Sequence, residues 1–371
     1  MEPFSLKEIR QQNLRRVYRL ICGSHPISRS RIAAALGMSL PTVTQHLETL
    51  MESGLIRQDG FMASSIGRRA AAYVPCPSAR AAVGAEILPH QLTIAAAGLD
   101  GEILGSVSCP LDFHPGDSYF ESLAQAILDL LSRLSVPAEH VLGAGIGLQG
   151  LVSPDGQEVI YGRISNCTGM KADPLQKRLP FPCRFRHDAE CAAALELWER
   201  PACTDAIYLS LSMHLGGAIF LNGSIQEGRW GVFEHMTLEE DGPLCYCGKR
   251  GCLECYCSAE ALTGGESLKG FFDALRGGDP DHAARWDRYL RRLAQAVNNL
   301  RMVMDTPVIL GGHIAPYLLP EDLNRLFALI QQRSAFPEPD NFLLTGVQKP
   351  CAIALGAAIP YLREFLAQPD L

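Results

Sequence analysis

No stretch of the 371-residue chain is apolar for long enough to cross a bilayer, and the opening Met1–Arg10 lacks the apolar core of a signal peptide. Both absences lead to the expectation of a cytoplasmic protein with no membrane partner. The chain also lacks a low-complexity tract and a short-period repeat, so a globular body is expected and a solenoid is not. An even, framework-like set of cysteines is missing as well. There are 13, and an odd number without an export signal suggests reduced thiols and a metal site, not a disulfide scaffold. What remains is ordinary for a globular chain, 47% hydrophobic and 20% charged, and long enough for two or three domains.

Charge is unevenly spread. The net formal charge is −7, yet residues 1–80 carry eleven Lys and Arg against five Asp and Glu, and the remainder carries 22 against 35. A basic head on an acidic body points the head at a polyanion. Residues 5–22 have helical apolar spacing at Leu6, Ile9, Leu14, Val17, Leu20 and Ile21. A short helix follows from Ser28 to Leu36, ended by Gly37. Ser39 can cap a third helix from about Leu40 to Ser53, with Val43, Leu47 and Leu50 inward and Thr42, Thr44, Gln45 and His46 on the polar side. Leu55–Tyr73 reads as two strands around a wing carrying Gly67, Arg68 and Arg69. This is a winged helix-turn-helix pattern, and a double-stranded DNA operator is the expected partner. Ser39, Thr42, Thr44, Gln45 and His46 are the groove contacts, with Arg68 and Arg69 on phosphate or minor groove. A three-helix protein-binding module is the alternative.

Pro75, Pro77 and Ser78 mark a linker. Beyond it come strand-like runs over residues 82–108 with Asp100-Gly101 as the turn, a helix from Ser118 to Ser135, a buried strand over 141–148, and a strand Cys183–His187. Asp188 opens a helix to Arg200, and Asp205–Leu221 gives two more strands around Ser212-Met213-His214. A long helix over 281–304, the strand before Gly311-Gly312, and helices Glu321–Arg333 and Leu355–Ala367 complete the chain. The order predicts an α/β body of two similar lobes with a cleft between them. The expected domains are residues 1–75, 80–190 and 191–371, the last helix packing back on the first lobe.

The densest chemistry is His235–Glu254. Cys245, Cys247 and Cys252 stand in C-x-C-x4-C spacing around Gly248 and Gly251, with His235 ten residues upstream. Thiolates and imidazole are zinc ligands, a structural zinc takes four, and glycines allow so short a loop to aim three sulfurs at one point. Structural Zn2+ held by His235, Cys245, Cys247 and Cys252 is the expected cofactor; three ordinary buried thiols are the alternative. Cys255 and Cys257 are spare ligands or ordinary buried thiols, and buried thiols are the favoured reading.

From about Asn13 to Leu366 the chain resembles the ROK family, which combines sugar kinases with sugar-responsive repressors. The resemblance implies an N-terminal winged helix-turn-helix followed by a two-lobed actin-like (ribonuclease H-like) α/β body. It is carried by the H-M and C-x-C-G-x-R-G-C-L-E stretch and by the winged head with its G-R-R; it implies ligand contacts at Asn166, Asp188, His235 and Glu254, which stand at positions that contact sugar in the family, and at His187, which replaces one. Departures matter as much. Where family kinases read D-I-G-G-T, this chain has Glu86-Ile87-Leu88-Pro89-His90, and their T-G-x-G-G reads Met213-His214-Leu215-Gly216-Gly217. Backbone amides cradle phosphate only where no side chain intervenes, and proline removes a donor. Val232 stands where the family has a sugar-contacting glutamate, and His187 where it has asparagine. Asp188 is open to a plain capping role, and Glu254 to a role behind the metal loop. The expectation is a DNA-binding regulator of the repressor branch, a homodimer or homotetramer without catalytic residues, sensing a sugar or sugar derivative. A sugar kinase with a DNA-binding head and an effector-independent binder with a decayed cleft are the alternatives.

Overall fold

The structure, a computed structural model, describes residues 5–62, 70–227 and 231–367. The head comprises α1 (Leu6–Gly23), β1 (Ile27–Ser28), α2 (Arg29–Leu36), α3 (Leu40–Glu52), β2 (Ile56–Phe61) and β3 (Ala71–Pro75). Each helix starts at a serine for the same reason: a short side-chain oxygen accepts an otherwise orphaned amide of the first turn. Ser5 and Glu8 form a reciprocal capping box on α1, Ser28 caps α2 and Ser39 caps α3. Gly37, at φ 65°, ends α2 in the left-handed region that glycine enters freely. Leu14, Val17, Tyr18 and Ile21 are the buried face of α1, but Ile9 is 42% exposed, so the expected stripe begins later than its spacing suggested. The three strands form an antiparallel sheet in the order β1-β3-β2.

The first lobe contains β4 (Ala81–Leu88), β5 (Gln91–Gly98), β6 (Ile103–Pro110), α4 (Asp117–Arg133), β7 (Val141–Leu148), β8 (Leu151–Val152), β9 (Val159–Tyr161), α5 (Asp173–Gln176) and β10 (Cys183–His187). Its sheet runs β10-β7-β4-β5-β6, an antiparallel meander extended by two parallel strands. Then α6 (Asp188–Glu199) leads across to β11 (Ala206–Leu211), β12 (Leu215–Leu221), β13 (Ser224–Ile225), α7 (Glu254–Cys257), α8 (Ala259–Thr263), α9 (Leu268–Arg276), α10 (Pro280–Arg301), β14 (Val308–Gly311), α11 (Pro320–Gln331), β15 (Leu343–Thr345) and α12 (Ala352–Ala367). The second sheet, β13-β12-β11-β14-β15, repeats the logic of the first. Two lobes of one design face each other, as the alternation of strands and helices predicts.

The strands β4 and β7 are covered on both faces, which is why they read as nearly unbroken apolar runs. One face meets α4, and the other meets α12 and α6. Two glycines set the distance of α12. A Cβ on Gly84 would stand 1.6 Å from the Ala354 carbonyl oxygen, and one on Gly145 would stand 2.0 Å from that of Ala357. Helix and sheet therefore touch backbone to backbone. The same helix reaches Gly223 of the second lobe through Arg363, and Arg15 of the head donates to the Ala367 carbonyl at 2.7 Å. Among the described residues no helix is long and apolar enough to cross a membrane.

Candidate effector cleft, metal centre and nucleic-acid interface

The loop after β13 folds by short-range pairing. Thr237 bridges to Cys252 and Leu244 to Arg250, and the Cys245 amide donates to the Lys249 carbonyl at 2.8 Å. Gly248 (φ 91°) and Gly251 (φ 67°) make the reversals, and a Cβ on Gly251 would sit 1.6 Å from the Glu239 carbonyl oxygen. The outcome is one cluster: the ligating atoms of His235, Cys245, Cys247 and Cys252 lie within 4.8 Å of one another. Sγ of Cys247 is 3.7 Å from Sγ of Cys252, and Sγ of Cys245 is 3.7 Å from Nδ1 of His235. Bonds of about 2.3 Å to sulfur and about 2.0 Å to nitrogen, spread tetrahedrally, require separations of about 3.5–3.8 Å, which these two pairs approach, so the donor set suits a tetrahedral ion. Burial pushes the Cys252 thiol up to about 11 and raises that of Cys245 well above its usual range. Such thiols hold their protons at neutral pH unless a cation displaces them. With Nδ1 turned to the sulfurs, His235 leaves Nε2 toward the cleft, where an ion on Nδ1 would fix it as a hydrogen-bond donor.

That cleft is a cavity of about 420 Å³ between the lobes. Asp188, at the first turn of α6, accepts from the Ala189 amide at 2.8 Å and lies 3.3 Å from Nε2 of His187. The sequence left Asp188 as either a cap or a ligand contact. Here His187 occupies the cap position without a side-chain bond, and Asp188 lines the cavity. His187 and His235 line it too.

Two expected contacts lie elsewhere. Asn166 is exposed at φ 49° on the turn after Arg163 and is not part of the cavity wall. Glu254 is buried behind the wall, where one carboxylate oxygen accepts from Nδ1 of His214 and the other from the Leu215 amide, both at 2.8 Å. It positions His214, which does line the cavity.

Sequence reasoning passed over several groups. His214 was read only as a damaged phosphate loop; the bond from Glu254, partly opposed by burial, raises its pKa above 6.5. Glu234 lines the cavity two positions from Val232, so a carboxyl is present where the glutamate motif seemed lost. Burial pushes it up to about 7, and its Oε2 is buried without a hydrogen-bond partner. Its place beside His235 was the available signal. Tyr246 packs edge-on to His214 and His235, and Arg163 of the first lobe donates to the Tyr246 carbonyl at 3.0 Å, tying lobe to metal loop across the cleft.

The stretches aligned with phosphate loops are differently employed. Pro89-His90 is the tight turn between β4 and β5, with His90 2.8 Å from Asp112. Gly216 and Gly217 lie inside β12, where a Cβ on Gly217 would meet the Phe233 ring at 2.3 Å and the Gly231 carbonyl at 2.8 Å. Glu86 lies on a separate cavity of about 620 Å³, and burial, reinforced by Asp188, pushes it up to about 7.

In the head, Ser39 accepts from the Thr42 amide and shares a hydroxyl contact of 2.8 Å with the Thr42 side chain. Thr44 accepts from Arg29 at 3.0 Å, and Gln45 is exposed. These residues lie together at the start of α3, and Arg29 joins them unforeseen. His46 does not. It is 3% exposed, because its spacing from Val43 and Leu50 puts it on the core stripe of the helix, and the expectation of a DNA contact there is corrected. Arg68 and Arg69 fall outside the described residues.

Residues 82–360, most of the chain, match the profile of the ROK family. The chain belongs to the ROK family. Residues 10–57 of this ROK protein match a winged helix-turn-helix DNA-binding profile. It is 29% identical over 262 residues to the DNA-binding transcriptional dual regulator NagC of Escherichia coli (strain K12), a match covering 68% of this chain and 64% of NagC. The crystal structure of a ROK family transcriptional regulator, a homologue of E. coli Mlc, superposes with TM-score 0.76 at 23% identity over 98% of this chain and 97% of that one. A ROK glucokinase from Streptomyces griseus, solved with glucose and AMPPNP, gives TM-score 0.63 at 23% identity, covering 75% of this chain and 98% of the kinase. The kinase likeness omits about a quarter of this chain, and the regulator likeness spans the head as well.

Proposed function

We propose that this ROK protein is a DNA-binding transcriptional regulator, a repressor, whose body senses a sugar or sugar derivative. The carrying observation is the joining of a winged helix-turn-helix head to a ROK body in which proline, leucine and packed glycines occupy the places of phosphate-cradling loops. A phosphoryl donor needs several free amides and a charge-balancing cradle, whereas Pro89 has no amide proton to give and Gly216 and Gly217 are paired within β12. Asp188 then serves as an acceptor for ligand hydroxyls rather than as a base in phosphoryl transfer. His187, His214 and the Nε2 of His235 present nitrogens around the same cavity, the pattern that selects a polyhydroxyl compound by leaving unpaired polar atoms with anything else. Structural zinc held by His235, Cys245, Cys247 and Cys252 braces the wall. A homodimer would present two heads to a two-fold operator.

The test is operator binding by fluorescence anisotropy, using DNA upstream of the protein's own gene and a panel of sugars. The expected result is salt-dependent binding relieved by one sugar class, with Asp188→Asn binding DNA normally but no longer responding to sugar. Release of ADP from ATP with any sugar of the panel would establish the kinase alternative instead. Normal DNA binding with no sugar response in the unmodified protein would favour a decayed cleft.

A further inference from the structure

Outside the cleft and the metal loop, the largest unexplained concentration of charge lies on the far side of α7. There a cavity of about 640 Å³ is walled by Arg285, Arg288, Arg291, Arg292 and Arg333, and no carboxylate lines it. The contrast with the rest of the body is sharp, since residues 81–371 carry 22 basic against 35 acidic side chains. Arg285, Arg288 and Arg292 share one face of α10 by their spacing, and Arg333 enters just beyond the end of α11.

These arginines are not equivalent. Arg285 is held by Glu266 at 2.7 Å and lies over the Phe271 ring. Arg292 is held by Glu239 at 2.8 Å and stacks on the Tyr256 ring at 4.6 Å, and Arg291 is held by Asp287 at 2.7 Å. Arg288 and Arg333 have no carboxylate within ion-pairing distance among the described residues. Arg288 is thus free to bind, and Arg333, whose Nη1 donates to the Leu329 carbonyl at 2.9 Å, keeps its other donors for a ligand, beside three arginines that are already oriented. A second observation is independent of charge. Tyr289 lines the same cavity, is 3% exposed, and its hydroxyl is buried with no hydrogen-bond partner. An orphaned buried hydroxyl costs free energy that a bound acceptor would recover.

We propose that this cavity is a binding site for a small phosphorylated ligand. Its phosphate would be taken by Arg288 and Arg333 against the fixed Arg285 and Arg292, with the Tyr289 hydroxyl donating to one of its oxygens. Planar guanidinium groups meet phosphate in pairs of charge-assisted bonds, and the cavity has the volume of a small-molecule site. The site is physically connected to the cleft. Cys255 and Tyr256 of α7 line the arginine cavity, and Glu254 of the same short helix holds His214 and the Leu215 amide at the cleft. A ligand that shifts α7 would act on both, so the site offers a second, phosphate-dependent input.

The inference goes beyond the proposed sugar sensing, and its test needs neither operator nor sugar. The full-length, zinc-loaded protein is titrated with inorganic pyrophosphate, inorganic phosphate and glucose 6-phosphate by calorimetry at fixed ionic strength, with sulfate as the control anion. Saturable one-to-one binding of at least one phosphate probe, tighter than sulfate, is expected. It should weaken by about a hundredfold in the Arg288→Gln, Arg333→Gln double variant and by about tenfold in Tyr289→Phe. Because that hydroxyl has no partner in the protein, Tyr289→Phe should not lower the melting temperature, whereas a purely structural hydroxyl would. Tighter binding of glucose 6-phosphate than of inorganic phosphate would identify a phosphorylated metabolite as the source; equal binding would identify the free anion. Affinities that do not change in the double variant, or that sulfate matches, would overturn the proposal. So would a double variant that alters only the mass of the assembly in solution, which would make this face an interface between copies.

Discussion

Replacing Glu254 separates two roles that the sequence could not. If it contacted the effector directly, losing its charge would matter as much as losing the side chain. Buried behind the wall, it instead supplies two acceptors, one to the Leu215 amide and one to His214. Glu254→Ala leaves the amide buried and unpaired, at about 1–3 kcal/mol, and removes a bond to His214 worth about 1 kcal/mol more. The expected loss is about 3 kcal/mol, which lowers Tm by about 5 °C for a body of this size. Glu254→Gln keeps an acceptor for the amide and should cost only about 1 kcal/mol. Thermal unfolding of the three proteins reads these differences, and NMR of the His214 ring supplies an independent signal. Its pKa is raised by Glu254 and lowered by burial, so in Glu254→Gln it should fall toward or below 6.5. The sign follows from linkage: a raised folded value stabilises fully below 6.5 and the contribution fades as pH rises through the folded pKa. The gap between the protein and Glu254→Ala should therefore narrow on the alkaline side without closing, since the unpaired amide does not titrate. Equal losses for Ala and Gln, with an unmoved His214 titration, would refute the positioning role.

Cys247→Ser should reduce bound zinc from one per chain to none, as read by elemental analysis, and lower Tm; wild-type metal content would remove the site. His46→Leu should bind operator with unchanged affinity, because the ring lies in the core of the head, whereas loss of binding by a folded variant would restore a DNA role. Burial lowers the His46 pKa below 6.5, so the unfolded chain takes up the proton first as pH falls. The head should accordingly lose stability between pH 7 and pH 5, and circular dichroism should show that loss abolished in His46→Leu. Gly84→Ala forces a methyl group against the Ala354 carbonyl and should cost about 3 kcal/mol or more, seen as a lower urea midpoint; an unchanged midpoint would deny the close approach of α12.

Much of this was legible because it depends on local rules. The serine caps of the head, Gly37, and the alternation of strand and helix declared themselves by residue type and spacing. So did the His/Cys cluster that could hold a metal ion, whose members are close in sequence around two glycines at positive φ. What escaped depends on registry between distant segments. His46 was assigned by polarity to the outer face, although its spacing from Val43 and Leu50 was the better guide. Glu234 and His214 were hidden because a motif comparison registers what is lost at a position and not what is supplied two residues away or by another loop of the same lobe. Glu254 looked like a cleft residue until its partners, forty residues earlier in the chain, showed which way it faced.

The continuous apolar cluster around α12 carries a practical consequence. It runs without a break from Leu14, Val17 and Ile21 of the head to Leu99, Leu195, Leu355 and Ile359 of the body. A cut at Pro75 would leave two raw surfaces where one packed interior had been. Any fragment meant to carry the proposed DNA-reading function by itself, or any hybrid that lends this head to another body, would have to bring a replacement for that shared floor. The helix that supplies it, α12, comes after both lobes in the chain, so the head that would read the operator gains its floor only once the body has been made.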